Sequence, residues 1–238
     1  MKVYILHGWT QDRSSKDRWL PFIQELENRG FSPFFLALPG LLGKEINSPW
    51  DIDKYVSWLS RKLPSNEKAI LLGHSFGGHV AVTFAALNPE RVENLILISS
   101  SGLRLKNVFA RSKRSFFMIL AKIGKKISRS DDLRAFLHRA AREKDYLQAS
   151  PVMRETMKLA ISHDVTSLLS KIKTKTCIIW GSDDKVTPLS LGKVFAKQIK
   201  NSSINILSGE RHSPHFTNPV AVAKKIEDFL NNTGAFQE

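Results

Sequence analysis

Short apolar runs alternate with longer amphipathic stretches along most of this chain. Val3–Leu6 is apolar and branched, and predicts a strand running into a turn at His7-Gly8-Trp9-Thr10. Trp19, Phe22, Ile23 and Leu26 recur at helical spacing up to Asn28, with Gly30 as a stop signal. Phe34–Leu38 predicts a second strand, closed by Pro39-Gly40. A helix opens at Trp50-Asp51-Ile52-Asp53, with Ile52, Tyr55, Val56 and Leu59 on its apolar face. Lys68–Leu72 and Asn94–Ile98 are further strand runs, separated by an Ala-rich helical segment, His79–Leu87, that Asn88-Pro89 stops. From Leu103 to about residue 162 the pattern is helical, with no strand run. Thr176–Trp180 and Ile204–Leu207 resume the strands, Leu189–Ile199 reads as a helix between them, and Val220–Leu230 closes the pattern as a helix.

Strands alternating with helices predict a parallel sheet covered on both faces. The strand runs are continuously apolar, as burial on two sides requires. The expected domain is an α/β core over 1–102 and 163–238, interrupted by a helical insertion over 103–162. An insertion after the carboxyl end of a strand falls where open α/β sheets bind ligands, so it reads as a cap.

One junction carries chemistry. Lys68-Ala69-Ile70-Leu71-Leu72 leads into Gly73-His74-Ser75-Phe76-Gly77-Gly78, and the Ala-rich helix follows. Strand, sharp turn and helix with serine at the apex form a nucleophile-elbow pattern, in which the glycines permit close backbone approach. A free hydroxyl is a weak nucleophile, so Ser75 needs a base, and the base needs an orienting acid. In a sheet of this kind they follow later strands in the order acid, then histidine. Asp183 and Asp184 follow the strand ending at Trp180, and His212 and His215 follow the strand ending at Leu207. At this level either residue of each pair fits.

Composition narrows the setting. At 238 residues with 42% hydrophobic content, the chain can bury a substantial core. The one cysteine, Cys177, cannot form an intrachain disulfide and sits in an apolar run as a small buried residue. His7-Gly8 ends the first apolar run too early for a secretory signal, and no run approaches a membrane span, so the expectation is a cytoplasmic protein. No histidines stand at i, i+4 on one helix, so no metal site is expected. The glycine turn lacks the Lys-Ser/Thr of a phosphate-binding loop.

The arrangement resembles the α/β-hydrolase fold family over nearly the whole chain. His7-Gly8-Trp9 is similar to the family's oxyanion turn, and Gly73–Gly78 to its elbow. Trp180-Gly181-Ser182-Asp183-Asp184, with Pro188 four residues on, is similar to its acid loop, and Glu210–Pro219 to its histidine loop. The resemblance implies Ser75 as nucleophile, His212 as base and Asp184 as acid. It implies an oxyanion hole from the backbone amides of Trp9 and Phe76, and it needs no cofactor. Asp183 and His215 remain alternatives, with a turn-capping role for Asp183 and packing beneath the base for His215. His7 and His74 flank the site but break the expected order, and read as loop-orienting residues. Ala37, Thr10, Lys175 and Lys185 depart from the residues common in the family at those positions, without removing a catalytic group. The chain starts at its first parallel strand, so a trimmed sheet of about six parallel strands is expected.

Charge changes the picture at one place. The chain carries 36 Lys and Arg against 22 Asp and Glu, a formal charge of +14. Nine of those cations fall in Leu103–Ser130, with no acid among them: Arg104, Lys106, Arg111, Lys113, Arg114, Lys122, Lys125, Lys126 and Arg129. Phe109, Phe116, Phe117, Ile119, Leu120 and Ile123 are interleaved with them. Such a stretch fits a solvated basic face over a buried apolar one, or contact with an anionic lipid surface. Nucleic acid is disfavoured, since no nucleic-acid motif is present. Arg154 beyond it could contact a substrate carboxylate, but reads rather as a structural ion-pair residue among the neighbours of Glu155 or other residues of the insertion.

The function implied is a serine hydrolase acting on a small carboxylic ester, similar to small-cap esterases and meta-cleavage-product hydrolases. Hydrolysis of a carbon–carbon bond in a ketonic acid is the alternative within that group. A catalytically weak lipid- or partner-binding protein is the reading from a different class.

Overall fold

The computed structural model describes residues 1–103 and 149–231. The basic stretch, most of the expected cap and the last seven residues lie outside them. Six parallel strands form one sheet in the order β2-β1-β3-β4-β5-β6. They are β1 (Lys2–Leu6), β2 (Ser32–Leu36), β3 (Ala69–His74), β4 (Val92–Ile98), β5 (Lys175–Gly181) and β6 (Ser202–Leu207). The expected sheet of about six parallel strands is the one observed.

Side chains within each inner strand divide between two cores, which is why those runs are continuously apolar. Tyr4, Leu6, Leu71, Leu95, Leu97, Ile178 and Trp180 face one side. Val3, Ile5, Ile70, Leu72, Ile96, Ile98, Cys177 and Ile179 face the other. On the first side lie α2 (Ile52–Lys62), α3 (Phe76–Leu87) and, after two elements introduced below, α6 (Leu189–Gln198). On the second lie α1 (Leu20–Asn28) and α8 (Pro219–Asn231), which follows the one-turn α7 (Pro214–Thr217). Asp51 caps α2 by accepting a hydrogen bond from the Lys54 amide, at 2.9 Å. α3 is the exception to amphipathicity. Eleven of its residues, Phe76 through Ala86, are buried, so its apolar all-round sequence is a consequence of its central place.

Several element boundaries differ from expectation by a few residues, two of them for a visible physical reason. β2 covers Ser32–Leu36 rather than Phe34–Leu38. It is an edge strand held by backbone pairing to β1, so Ser32 and Pro33 join it without an apolar signature. It stops short of Leu38 because the Leu38 amide donates to His7 Nε2 instead, at 3.0 Å. The helix expected from Trp19 begins at Leu20, preceded by a 3-10 segment, Arg13–Trp19, capped by Asp12. Its polar sequence carries no periodic signal; Trp19 is its one buried residue.

After β4 the described chain resumes in α4 (Pro151–Ser162) and the short α5 (Thr166–Leu169). Ser150 caps α4, accepting from the Met153 amide at 3.2 Å. α4 packs on the core through Met153, Thr156 and Ala160, which are buried. Thr156 Oγ1 accepts from the Trp50 amide at 3.0 Å, joining α4 to the loop ahead of α2. Val165 N donates to Gly102 O at 2.9 Å, so the chain returns to the point where it left.

The strand order reverses between β1 and β3. Open α/β sheets present a crevice outside the carboxyl ends of the strands at such a reversal. β1 ends there in His7-Gly8-Trp9 and β3 in His74-Ser75. No helix among the described residues is long and apolar enough to cross a membrane.

Candidate active site

Ser75 stands between β3 and α3 with φ 52 and ψ −114. A non-glycine residue held in this region stores backbone strain of roughly 1–3 kcal/mol. The surroundings over-determine it. Its amide donates to Ile98 O at 3.1 Å, and its carbonyl accepts from the His79 and Ser101 amides at 3.1 and 3.0 Å. Gly77 makes the turn possible by proximity. A Cβ there would lie 2.1 Å from Leu6 O, so the start of α3 can sit against the end of β1 only with glycine. That contact brings the Trp9 turn to the elbow. The Trp9 and Phe76 rings then meet edge to face at 5.1 Å. Phe76, the first residue of α3, has a backbone N–H that lacks an intrahelical acceptor.

The acid and histidine loops meet by a second close approach. A Cβ on Gly181, the last residue of β5, would lie 2.2 Å from Glu210 O and 2.4 Å from Arg211 O. Asp183 N donates to Glu210 O at 2.9 Å. The histidine loop therefore rests on the acid loop, and His212 projects between Asp184 and Ser75. His212 Nε2 is 3.0 Å from Ser75 Oγ, and His212 Nδ1 is 2.9 Å from Asp184 Oδ2. Nδ1 therefore carries the proton it donates to the carboxylate, which leaves Nε2 to accept from the serine hydroxyl.

Asp184 is buried, with 5% of its surface exposed. Burial pushes its pKa up, but the hydrogen bond and charge of His212 and the Thr187 contacts outweigh it, and the net shift is downward. Its Oδ1 accepts from the Val186 and Thr187 amides at 2.8 and 2.9 Å. Asp184 itself thus caps the turn that the sequence reading gave to Asp183. Asp183 sits one residue too early for those amides and instead accepts from Ser182 Oγ at 2.8 Å.

Of the two histidines, His212 meets Ser75. His215 is fully buried, and neither ring nitrogen has a hydrogen-bond partner among the described residues. It packs 4.4 Å from Trp19, 4.4 Å from His74 and 4.0 Å from Phe216. Burial, with lesser contributions from His212 and Arg18, holds its pKa well below 6.5. His74 lies against both, and its Nε2–H donates to the His212 carbonyl at 3.0 Å. His7 is buried and stacks on Phe35. Its Nδ1–H donates to Gly8 O at 2.7 Å while Nε2 accepts from Leu38. Burial, helped by Lys44 and opposed by the Gly8 contact, lowers its pKa to about 4, so it pins the turn after β1 as a neutral ring.

Several contacts escape sequence reasoning. His79 Nε2 and His163 Nδ1 are 2.9 Å apart, linking α3 to the end of α4. Burial is the main cause of a His79 pKa of about 3, with His163 lowering it further and Asp164 opposing. Thr187 Oγ1 lies within reach of both Asp184 and His212. Its position three residues after an aspartate is a turn signal in the sequence, but its second partner is not. Glu155 pairs with Lys158 at 2.8 Å, three residues on. Cys177 is buried and its thiol is pushed up to about 12 by desolvation, a packing residue as expected. Among the described residues no cluster of three His, Cys, Asp or Glu could hold a metal ion.

With this geometry in view, the comparisons are coherent. The sequence profile of the alpha/beta hydrolase fold matches residues 3–219, and the chain belongs to that family. It is 22% identical over 250 residues to a pimeloyl-[acyl-carrier protein] methyl ester esterase of Neisseria meningitidis serogroup C, covering 96% of this chain and 93% of that esterase. Monoacylglycerol lipase ABHD6 of Mus musculus is 26% identical over 262 residues, covering 96% and 75%. Among solved structures, the meta-cleavage product hydrolase CumD of Pseudomonas fluorescens IP01 superimposes with a TM-score of 0.68 at 18% identity, covering 98% and 92%.

Proposed function

We propose that the chain is a serine hydrolase that cleaves carboxylic esters through an acyl-enzyme on Ser75. The observation that carries this is the hydrogen-bond chain from Ser75 Oγ through His212 to Asp184, at 3.0 and 2.9 Å. Ser75 Oγ attacks the ester carbonyl carbon as His212 Nε2 removes its proton. Charge develops on the carbonyl oxygen, and the backbone amides of Phe76 and Trp9 are the donors for it, each worth roughly 3 kcal/mol of barrier. His212 passes the proton to the departing alkoxide, and the alcohol leaves. Water, deprotonated by the same nitrogen, then attacks the acyl-enzyme and regenerates Ser75. Asp184 stays ionised throughout and stabilises the imidazolium. The chemistry calls for no cofactor.

The relatives' names support an ester as substrate, since one acts on a methyl ester and another on a monoacylglycerol. Residues 103–162 act as a cap in this reading. Its support is α4, which packs over the carboxyl edge of the sheet through Thr156 to Trp50 and through Met153 beside Gly40.

A panel of p-nitrophenyl esters of graded acyl length, run on wild type and Ser75→Ala, tests the assignment. The substitution is expected to lower kcat by about 10⁴- to 10⁶-fold on the best ester. Equal rates in the two proteins sink the proposal.

A further inference from the structure

We propose that the Thr187 hydroxyl is a positioning residue for the acid–base pair, fixing which oxygen of Asp184 faces His212. The inference rests on the serine-hydrolase reading of the same site. An ionised carboxylate has about four acceptor positions. Asp184 fills all four. Oδ1 takes two amides, from Val186 and Thr187. Oδ2 takes His212 Nδ1–H at 2.9 Å and the Thr187 hydroxyl at 2.8 Å. Without that hydroxyl, Oδ2 has one donor, the imidazole, which is also the group that moves protons during turnover. A buried acceptor left short of a partner is costly, and the carboxylate relaxes by rotating toward whatever donor remains.

Thr187 is itself held from two sides. Its carbonyl accepts from the indole of Trp180, fully buried in the core, at 2.8 Å. Its Oγ1 stands 3.2 Å from Ser99 O at the end of β4. Ser99 has φ 44, a strained left-handed backbone, and its amide donates to Ile179 O on β5. The hydroxyl has one proton to give. The shorter, charge-assisted contact to Asp184 Oδ2 takes it, and the Ser99 carbonyl is the competing acceptor. Oγ1 also lies 3.2 Å from His212 Nδ1, a second acceptor for the imidazole N–H. One small side chain therefore ties together the ends of β4 and β5, the acid and the base.

Thr187→Val keeps the shape and removes the hydroxyl, and Thr187→Ser keeps the hydroxyl and removes a methyl group. With the best p-nitrophenyl ester, the valine variant is expected to lose about tenfold in kcat with KM unchanged, and serine to recover most of it. Two readouts need no substrate. Phosphonylation of Ser75 by a fluorophosphonate should slow about tenfold in the valine variant, and the ¹H resonance of His212 Nδ1–H should move in Thr187→Val but not in Thr187→Ser. Equal losses in the two variants, or a valine variant with wild-type phosphonylation and an unmoved resonance, overturn the proposal. If no ester is turned over by wild type, the ester reading fails alone, because the resonance still tests Thr187.

Discussion

The two sides of the site are built from different materials. The Ser75 side, between β1 and β3, is assembled largely by backbone. Ser75 is held by hydrogen bonds to its own peptide groups, and Gly77 lets α3 touch the end of β1. The other side, beyond β5 and β6, depends on side-chain hydrogen bonds converging on Asp184 and His212. Backbone contacts survive most substitutions, whereas side-chain contacts are lost one at a time. Substitutions around Asp184 and His212 should therefore produce graded losses, and those around Ser75, apart from Ser75 itself and His74, which reaches across to the His212 loop, should be silent or disruptive.

The sharpest test of that contrast is Asp184→Asn, which keeps the side chain's size while changing what it donates and accepts. An amide at that position favours the wrong imidazole tautomer, and kcat should fall about 10⁴-fold, beside a loss of folding stability from the hydrogen bonds to Asp184 that an amide nitrogen cannot accept. Steady-state kinetics beside urea unfolding separates the two quantities.

His7 is the side chain on which the backbone-built side does rely, and it gives a pH signature. Burial holds His7 at about 4 in the fold against an ordinary 6.5. The unfolded chain therefore binds a proton below pH 6.5 that the folded chain refuses. Stability is complete above pH 6.5 and declines as pH falls toward 4, by about 3 kcal/mol for this group. Urea unfolding between pH 7 and 4 should show the decline, and His7→Gln should flatten it by about that amount. His79, held at about 3, adds a decline of the same sign that His7→Gln leaves in place.

Gly181→Ala breaks the seam between the halves of the side beyond β5 and β6. The added methyl meets Glu210 O and Arg211 O, so the histidine loop must shift by a fraction of an ångström or more. A misplaced base costs about 10²-fold in kcat. A wild-type rate would mean that the close approach is not what places His212. The smallest expected change is His74→Phe, which removes the donor to the His212 carbonyl but keeps a ring against Trp19 and His215. A single hydrogen bond is worth about 1 kcal/mol, so a loss of roughly five- to tenfold in kcat is expected.

The sheet was legible because burial on both faces leaves the middles of β3, β4 and β5 almost wholly apolar, and the runs stand out. β2 was legible only in part, since an edge strand pairs by backbone and tolerates Ser32 and Pro33. The elbow could be read because its chemistry demands small residues at fixed spacing. The order of the loops located the acid and histidine pairs, but choosing within each pair needed resemblance. What remained hidden were contacts between residues far apart in sequence. Thr187 with Ser99, His79 with His163 and His74 with the His212 carbonyl join positions 84 to 138 residues apart, and no local pattern announces them. The turn role of Asp184 was hidden for another reason. One carboxylate serves both the turn and the histidine, a double use that the pattern of residues does not distinguish from two aspartates with one task each.

The hydrogen bond from Val165 to Gly102 has a consequence for how such a protein can change. The two described ends of the stretch between them meet at this bond, with the His79–His163 contact beside it, and α4 adds further contacts to the core through Met153, Thr156 and Ala160. A passage whose two ends already meet can change in length ahead of α4 without moving β4 or β5. The entropic cost of closing it grows only logarithmically, about 0.6 kcal/mol for each doubling. A change in the length of that passage is therefore one the six-stranded frame can absorb at its two meeting ends, Gly102 and Val165.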